Sequence, residues 1–280
     1  MLRLRVITAV VLLGLLLPTL WVSSAWPFAL FALLLASAGA WEWARLQGVA
    51  ATPSLAYAAV CGGIGAVILA QGLPTLPGLS WLVPALAWVW ACVRLMPRGV
   101  DGWRALPARS RLLAGIPVLI ATWLSLCIAR SLGINLLLSV LCIVWVSDVS
   151  AYFAGRRWGR RKLAPSLSPG KTWEGVAGAC VGVLLLSVLW MALESRVDLG
   201  SASVFSRTLE AFGPVGLVGA VALLVALGIA GDLFESMIKR AAGVKDSSGL
   251  LPGHGGVLDR IDALLPVLPA AMAVLALGAR

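Results

Sequence analysis

A charged segment at residues 236–262, SMIKRAAGVKDSSGLLPGHGGVLDRID, interrupts an otherwise apolar chain. It concentrates cations, carboxylates and the one histidine of the sequence: Lys239, Arg240, Lys245, Asp246, His254, Asp259, Arg260 and Asp262. The glycines around Pro252 predict a loop, because glycine frees the backbone and both residue types break helices. Carboxylates and cations beside such a loop suit a metal-assisted site for phosphate groups. A plain connection between two apolar helices would need none of them.

The composition surrounding this segment is that of a membrane protein. Of the 280 residues, 60% are hydrophobic and 12% are charged, whereas ordinary globular domains carry about 25% charged residues. A water-soluble protein could not bury this much apolar surface, so we predict an all-α, polytopic membrane protein. The five cysteines lie in apolar runs without a C-x-x-C pair, which indicates small buried hydrophobic side chains.

Nine apolar stretches are each long enough to cross a hydrocarbon core of about 30 Å as a helix. The first, at residues 6–24, is long for a signal peptide and lacks a clear cleavage site, so we interpret it as a retained span. The others are predicted near residues 27–46, 54–70, 79–96, 112–129, 134–154, 173–193, 214–237 and 261–280. Residues 1–130, with the first five spans, contain no recognisable motif. Residues 131–280, with the last four, carry the chemistry.

The basic residues predict the orientation of these spans. With the N-terminus inside, 18 of the 22 Lys and Arg residues fall on the inner side, leaving Arg130, Arg196, Arg207 and Arg280 outside. The positive-inside rule supports this arrangement, which places the charged loops in the cytoplasm, where nucleotides are. The net charge of +10 then reflects loops beside anionic lipid, and we expect no nucleic-acid partner. We expect the inner (plasma) membrane of the cell, and a solvated outer loop at residues 195–213.

Two carboxylates, Asp148 and Asp232, fall near the cytoplasmic ends of predicted spans. A carboxylate at membrane depth is costly and usually faces a polar cavity at a functional site. The alternative for each is an ion pair with an Arg or Lys of a neighbouring helix. Glu42 is a weaker candidate, because Arg45 lies three residues further on and can pair with it.

If the helix of the eighth span continues beyond the bilayer, one of its faces carries Asp232, Glu235, Ser236 and Lys239. That face would present acid, hydroxyl and ammonium groups together, which suits substrate better than lipid. Asp259 follows 27 residues after Asp232. Oxygen ligands of this kind favour Mg²⁺ or a similar hard cation over zinc.

A second basic segment, residues 155–175, reads GRRWGRRKLAPSLSPGKTWEG. Thr172 can cap the helix that follows, whose first N–H groups suit phosphate oxygens, and Lys171 can add a charge-assisted bond. Most of its cations are interpreted as lipid-headgroup anchors: Arg156, Arg157, Arg160, Arg161 and Lys162.

Both charged segments resemble the motifs of phosphatidate cytidylyltransferases, the enzymes that make CDP-diacylglycerol. The first match comprises Ser236, Lys239, Arg240, Lys245, Asp246, Ser248, Pro252, His254, Gly255, Gly256, Asp259, Arg260 and Asp262. The second comprises Asp148, Ala151, Tyr152, Phe153, Gly155, Arg156, Ser168, Pro169, Lys171, Thr172, Glu174 and Gly175. One departure is Val149-Ser150, where Thr-Gly is expected, and it weakens inference about backbone approach near Asp148.

The resemblance implies that the phosphate of phosphatidate attacks the α-phosphorus of CTP, giving CDP-diacylglycerol and pyrophosphate. It implies that Asp232 and Asp259 hold Mg²⁺, and it leaves room for a second cation and for a homodimer. The catalytic residues expected are Asp232, Asp259, Lys239, Arg240 and Lys171. The substrate-binding residues expected are Asp148, Arg156, Ser168, Lys171, Thr172, Ser236, Lys245, Asp246, His254 and Arg260.

His254 is expected to have a structural or phosphate-binding role rather than to act as a general base. A phosphomonoester is already largely deprotonated near pH 7, because its second pKa is about 6. The reaction that the resemblance implies therefore needs no base.

Two other functions fit the same sequence. A CTP-dependent kinase of lipid alcohols, such as polyprenols, would move the γ-phosphoryl group and release CDP instead of pyrophosphate. A transporter would use its intramembrane acids to bind ions, and its flux would not depend on nucleotide.

Overall fold

Helices dominate this structure because an apolar chain in lipid must satisfy its backbone polar groups internally. The computed structural model describes residues 2–73 and 78–279, and only the backbone of residues 2, 3 and 5. Its helices are α1 (Leu2–Trp21), α2 (Trp26–Leu46), α3 (Ala51–Gln71), α4 (Leu82–Arg94), α5 (Gly99–Arg104), α6 (Ala108–Leu132), α7 (Ile134–Trp158), α8 (Trp173–Glu194), α9 (Val204–Ala241), α10 (Leu258–Ile261) and α11 (Leu264–Gly278). Short 3₁₀ turns at Leu79–Trp81 and Met96–Arg98 flank α4.

Eight helical segments of the described chain are long and apolar enough to cross a membrane, which confirms the all-α polytopic class. They are Trp26–Leu46, Ala51–Gln71, Leu79–Arg104, Ala108–Leu132, Ile134–Trp158, Trp173–Glu194, Val204–Ala241 and Leu258–Gly278. Nine were predicted. The difference lies in α1, whose apolar part, Val6–Trp21, rises only about 24 Å at 1.5 Å per residue.

Although its apolar part is short, α1 contacts both ends of the helix bundle. Near its start, Thr8 Oγ1 donates to the carbonyl oxygen of Pro252 at 2.9 Å. Near its end, the carbonyl oxygens of Leu20 and Val22 accept from the Arg130 guanidinium, both at 2.8 Å. The helix therefore runs alongside the others, from the face that carries the charged loops to the opposite face.

The centre of the bundle is α11, in which every residue from 263 to 276 is buried. It packs against α9, α6, α4 and α7. The N-terminal half is joined to α9 by edge-on aromatic contacts: Phe234 meets Trp88 and Trp103, and Trp103 meets Trp43. All five cysteines are free and are buried or half-buried, as expected.

Small residues let the helices that carry the charged motifs approach closely. A Cβ on Gly178 would overlap Ala154, and a Cβ on Gly182 would overlap Ser150, so α8 lies directly against α7. Ser150 is the residue that departs from the expected Thr-Gly pair, and the glycine opposite provides the space for its hydroxymethyl group. Likewise, a Cβ on Gly231 would lie 2.5 Å from the carbonyl oxygen of Asp262, so α9 and the start of α11 are in contact.

Two local expectations were wrong. The basic segment between α7 and α8 contains an antiparallel hairpin, β1 (Lys162–Ala164) and β2 (Ser168–Thr172). The predicted outer loop is helical from Val204 onward, because Ser203 caps the helix, which then bends at Gly213 with φ at +69°. Between the fourth and fifth predicted spans, Gly99–Arg104 form α5, whose Trp103 is buried.

Candidate active site

The second charged segment borders a cavity of about 400 Å³ between α7, the hairpin, α8 and the part of α9 just before the first charged segment. Its walls are Asp148, Ala151, Tyr152, Gly155, Arg156, Leu163, Ser168, Gly170, Lys171, Thr172, Gly175, Val176, Ile229 and Asp232. The cavity combines acidic, basic and hydroxyl groups with apolar side chains. Six of the predicted site residues therefore line one space: Asp148, Arg156, Ser168, Lys171, Thr172 and Asp232.

Lys171 and Asp232 join the second charged segment to α9 directly. The Lys171 ammonium lies 2.6 Å from Asp232 Oδ2, and both side chains are partly exposed. Lys171 also donates to the carbonyl oxygen of Ile229 at 3.4 Å. The ion pair considered as an alternative for Asp232 is thus present, and it lies in the cavity wall rather than in an apolar interface.

Helix capping positions Lys171. Thr172 is buried, and its Oγ1 accepts from the backbone N–H of Gly175 at 3.1 Å, which confirms the predicted cap of α8. Glu174, in the first turn, accepts from the backbone N–H groups of Arg160 and Arg161 at 3.0 and 3.2 Å. These bonds fix the hairpin to the start of α8, and so they set the position of the lysine.

Further carboxylates extend from the cavity toward the loop at residues 246–257. Asp262 is within electrostatic reach of Asp232 and Asp148. Glu235, buried on α9, is within reach of Asp262 and Asp259. The close contact between α9 and α11 at Gly231 brings these acids together, which no spacing in the sequence indicates.

Lys239 forms ion pairs with the carboxylates that lie farthest from the cavity. Its ammonium pairs with Glu235, one turn earlier on α9, and lies 2.5 Å from Asp259 Oδ1. The second oxygen of Asp259 accepts from the backbone N–H of Ser247 at 2.9 Å, from the Ser247 hydroxyl at 2.8 Å and from the backbone N–H of Gly256 at 2.8 Å. The predicted shared face of α9 is present, and its lysine connects α9 to α10.

Glu42 on α2 contacts the same loop from the opposite side. Its side chain is fully buried and accepts four hydrogen bonds, from Ser247 Oγ, Ser248 Oγ and the backbone N–H groups of Val257 and Leu258. The expected partner, Arg45, instead donates to the carbonyl oxygen of Val49 at 3.1 Å. The interpretation of Glu42 as the partner of Arg45 was therefore wrong.

The remaining predicted site residues lie outside the cavity wall. Ser236 donates to Asp232 Oδ1 at 3.4 Å. Arg240 is exposed and donates to the carbonyl oxygen of Val244 at 3.2 Å. Lys245, Asp246 and Arg260 are exposed. His254 is half-buried, and in the described part of the chain its Nδ1 is buried without a hydrogen-bond partner.

The acids around the cavity fit a hard cation. Among the described residues, no three Asp, Glu, His or Cys side chains form a ready-made metal site. Mg²⁺ does not need one, because it is commonly bound through one or two carboxylates together with substrate phosphates. Among the described residues, Asp232 Oδ1 accepts only a long bond from Ser236, and Asp259 Oδ1 has only Lys239 as a partner. The donor set is therefore compatible with Mg²⁺ at either carboxylate.

Sequence reasoning missed several residues that shape the site. Glu42 and Ser247 hold the loop, Glu235 pairs with Lys239, and Glu174 fixes the hairpin. Glu235 and Glu174 belonged to recognised patterns without being assigned a role. Glu42 was marked only as a weaker candidate beside Arg45, because its actual partners lie more than 200 residues away.

Comparisons with known proteins agree on one family. A model described as "Cytidylyltransferase family" matches residues 3–277. The chain is 40% identical over 280 residues to the phosphatidate cytidylyltransferase of Pseudomonas aeruginosa, covering 98% of this chain and 97% of the relative. It is 33% identical over 294 residues to that of Haemophilus influenzae, covering 96% of each. It is 43% identical over 148 residues to that of Thermotoga maritima, covering 52% of this chain and 51% of the relative.

Proposed function

The chain belongs to the phosphatidate cytidylyltransferase family, and we propose that it transfers the cytidylyl group of CTP to phosphatidate, giving CDP-diacylglycerol and pyrophosphate. The observation that carries this proposal is the cavity in which Lys171 of the second motif pairs with Asp232 of α9, one turn before the first motif begins. A nucleotide and a lipid phosphate must be brought together despite their like charges. A site at the end of membrane helices, with cations and carboxylates in one wall, suits that task.

The reaction breaks one phosphorus–oxygen bond and forms another. An oxygen of the phosphatidate phosphate attacks the α-phosphorus of CTP. The bond from that phosphorus to the oxygen that bridges it to the β-phosphorus breaks, and pyrophosphate leaves with the electron pair. The attacking phosphate is largely deprotonated near pH 7, so no side chain has to remove a proton.

The cations of the chain align and neutralise the phosphates. Lys171 faces the cavity and is held by capping bonds, so its ammonium can transfer from Asp232 to an incoming phosphate oxygen. Arg156 lies in the same wall and donates to the Tyr152 hydroxyl at 3.0 Å, which directs its guanidinium along α7. Alignment of reactants and neutralisation of developing charge are the main contributions that such groups make.

Mg²⁺ is proposed as the cofactor, with Asp232 and Asp259 as its protein ligands. When bound, it would act as a Lewis acid on the phosphate oxygens of CTP. Asp148 and Asp262 lie within electrostatic reach of Asp232, and a cation bound there would favour the ionised form of all three carboxyl groups. Lys239 forms an ion pair with Asp259 Oδ1. A cation bound at that oxygen would therefore compete with the Lys239 ammonium group.

The acyl chains of phosphatidate are proposed to stay in the bilayer while the headgroup reaches the cavity. On α7, near the cavity, Val149, Tyr152 and Phe153 present exposed apolar surface. The bacterial relatives favour the inner membrane, and the positions of the basic residues favour an orientation with this face toward the cytoplasm.

Product analysis tests the proposal against its rivals. Purified protein is incubated with α-³²P-CTP, phosphatidate and Mg²⁺, and lipid and water-soluble products are separated. We expect labelled CDP-diacylglycerol and unlabelled pyrophosphate. In a parallel reaction with a polyprenol in place of phosphatidate, labelled CDP with a phosphorylated lipid alcohol would identify a kinase. Substrate flux into liposomes that needs no nucleotide would identify a transporter.

A further inference from the structure

Glu42 is a fully buried carboxylate to which the proposed reaction assigns no role. It lies near the C-terminal end of α2, in the half of the chain that carries no motif. Among the described residues, no Lys, Arg or His forms an ion pair with it. Its charge is instead compensated by four hydrogen-bond donors, which is the arrangement that a buried charge needs to be tolerated.

All four donors come from the loop between α9 and α10 and from the turn that ends it. Oε1 accepts from Ser248 Oγ at 2.5 Å and from the Val257 N–H at 2.9 Å. Oε2 accepts from Ser247 Oγ at 3.2 Å and from the Leu258 N–H at 2.7 Å. One side chain therefore holds both ends of the loop, at Ser247 and at Val257.

These two ends are also the ends that hold Asp259. Ser247 and Gly256 supply the donors to Asp259 Oδ2. A Cβ on Gly256 would overlap both Ser247 Oγ and Glu42 Oε1, so the backbone lies directly against the Glu42 carboxylate. A shift of the loop relative to α2 would move the donors of Asp259, and with them the oxygen that faces Lys239.

We propose that Glu42 is a positioning residue of the active site, which fixes the loop at residues 246–257 and thereby places Asp259 and Lys239. This inference rests on the proposed function, because it names the reaction that the loop serves. It also gives a role to the N-terminal half of the chain, which contributes α2 as the fixed support of that loop.

Glu42→Gln tests this role with almost no change in side-chain volume. An amide nitrogen cannot accept a hydrogen bond, so in either orientation one backbone N–H, of Val257 or of Leu258, faces an NH₂ group. A buried donor without an acceptor is unfavourable, so the loop is expected to move away from the side chain at position 42. Misplacement of reacting groups by about 1 Å can lower the rate about 100-fold, so we expect kcat to fall about 10- to 100-fold. The KM values for CTP and phosphatidate should change less than about 3-fold, because the groups in the cavity wall are untouched.

Glu194→Gln is the matched control. Glu194 also accepts several hydrogen bonds, from Asn135, Ser203 and Ser206, but it lies at the opposite end of the bundle. This variant should lose thermal stability to a similar degree and keep kcat within about 2-fold of the wild type. Hydrogen exchange measured by mass spectrometry adds a readout without substrate. Exchange at residues 246–258 should accelerate in Glu42→Gln and stay unchanged in Glu194→Gln.

Unchanged kcat in Glu42→Gln, or an equal loss of kcat in both variants, would overturn the inference. If Glu42→Gln does not fold, Ser248→Ala decides, since it removes one donor to Glu42 and, besides that, only the local bond that Ser248 Oγ accepts from the Leu250 N–H. It should lower kcat about 3-fold at an unchanged Tm, and an unchanged kcat there would count against the assignment. Wild-type protein that makes no CDP-diacylglycerol would contradict the proposed function instead, and the exchange measurement would still test whether Glu42 holds the loop.

Discussion

Asp232 is the residue for which the sequence and the structure make the sharpest prediction. It lies in the cavity wall beside Lys171, close to two further carboxylates. Asp232→Asn keeps the shape and removes the charge that would hold Mg²⁺. We expect kcat to fall at least about 100-fold, as for the loss of a principal electrostatic element. The Mg²⁺ concentration for half-maximal activity should rise in whatever activity remains, as measured by a Mg²⁺ titration of product formation.

Asp259 is predicted to behave in the same way, with an additional effect on the loop. Asp259→Asn should lower kcat at least about 100-fold and raise the Mg²⁺ requirement, because the Oδ1 carboxylate charge is lost. Ser247→Ala is the control, since it removes the hydroxyl bonds to Asp259 Oδ2 and to Glu42 Oε2 and keeps the carboxylate charge of Asp259. A raised Mg²⁺ requirement in Ser247→Ala, or none in Asp259→Asn, would show that Asp259 only organises the loop.

Lys171 and Arg240 were both predicted to bind phosphate, and their surroundings now separate them. Lys171 faces the cavity, whereas Arg240 is exposed at the end of α9 and bonds to Val244. We expect Lys171→Gln to lower kcat/KM at least about 30-fold and Arg240→Gln to lower it only several-fold. Steady-state kinetics of both variants, with size-exclusion profiles to confirm folding, give the comparison. Equal losses would mean that Arg240 reaches the substrate directly.

At the scale of elements, the contact between α7 and α8 depends on small residues. Gly178 has Ala154 and a carbonyl oxygen of α7 directly opposite, so a methyl group there must push the helices apart. Overpacking of this kind costs about 1–3 kcal/mol. We expect Gly178→Ala to lower the Tm in detergent and to reduce activity, because Asp148 on α7 and Lys171 before α8 would separate.

Gly63 on α3 provides the matched control for that substitution. A Cβ there meets nothing within 4 Å among the described residues, and alanine is a better helix former than glycine. Gly63→Ala should leave the Tm unchanged or slightly higher and the activity intact. An equal loss of Tm in both variants would show that glycine matters for the helices generally, not for this contact.

At the scale of the whole molecule, the orientation in the membrane is the prediction to check. The hairpin and the loop after α9 lie at one end of the bundle, and the turn before α9 lies at the other. A topology reporter fused after Arg160 should be cytoplasmic, and one at residues 198–206 should be outside. The reverse result would place the carboxylates away from CTP. The homodimer stays a prediction that these contacts do not address.

Much of the architecture follows from local chemistry. Long apolar runs in lipid have to be helical, and the predicted starts of α7 and α8, at Ile134 and Trp173, are those observed. Residues three and four positions apart on α9 share a face for the same geometrical reason. Fixed motif spacing identified the family, and the Thr172 cap followed from its position before a helix.

Contacts between distant segments needed the folded chain. No periodicity reveals that Gly231 lets the start of α11 approach α9, or that Lys171 pairs with Asp232. Glu42 shows this most clearly, because a neighbouring arginine offered a sufficient local partner, while its four actual donors are more than 200 residues away. The sequence by itself determined the helical membrane class, the family and the chemical groups of the site. Only the tertiary structure decided which groups meet, because burial removes a carboxylate from water and leaves it to whichever donors the packing of the helices supplies.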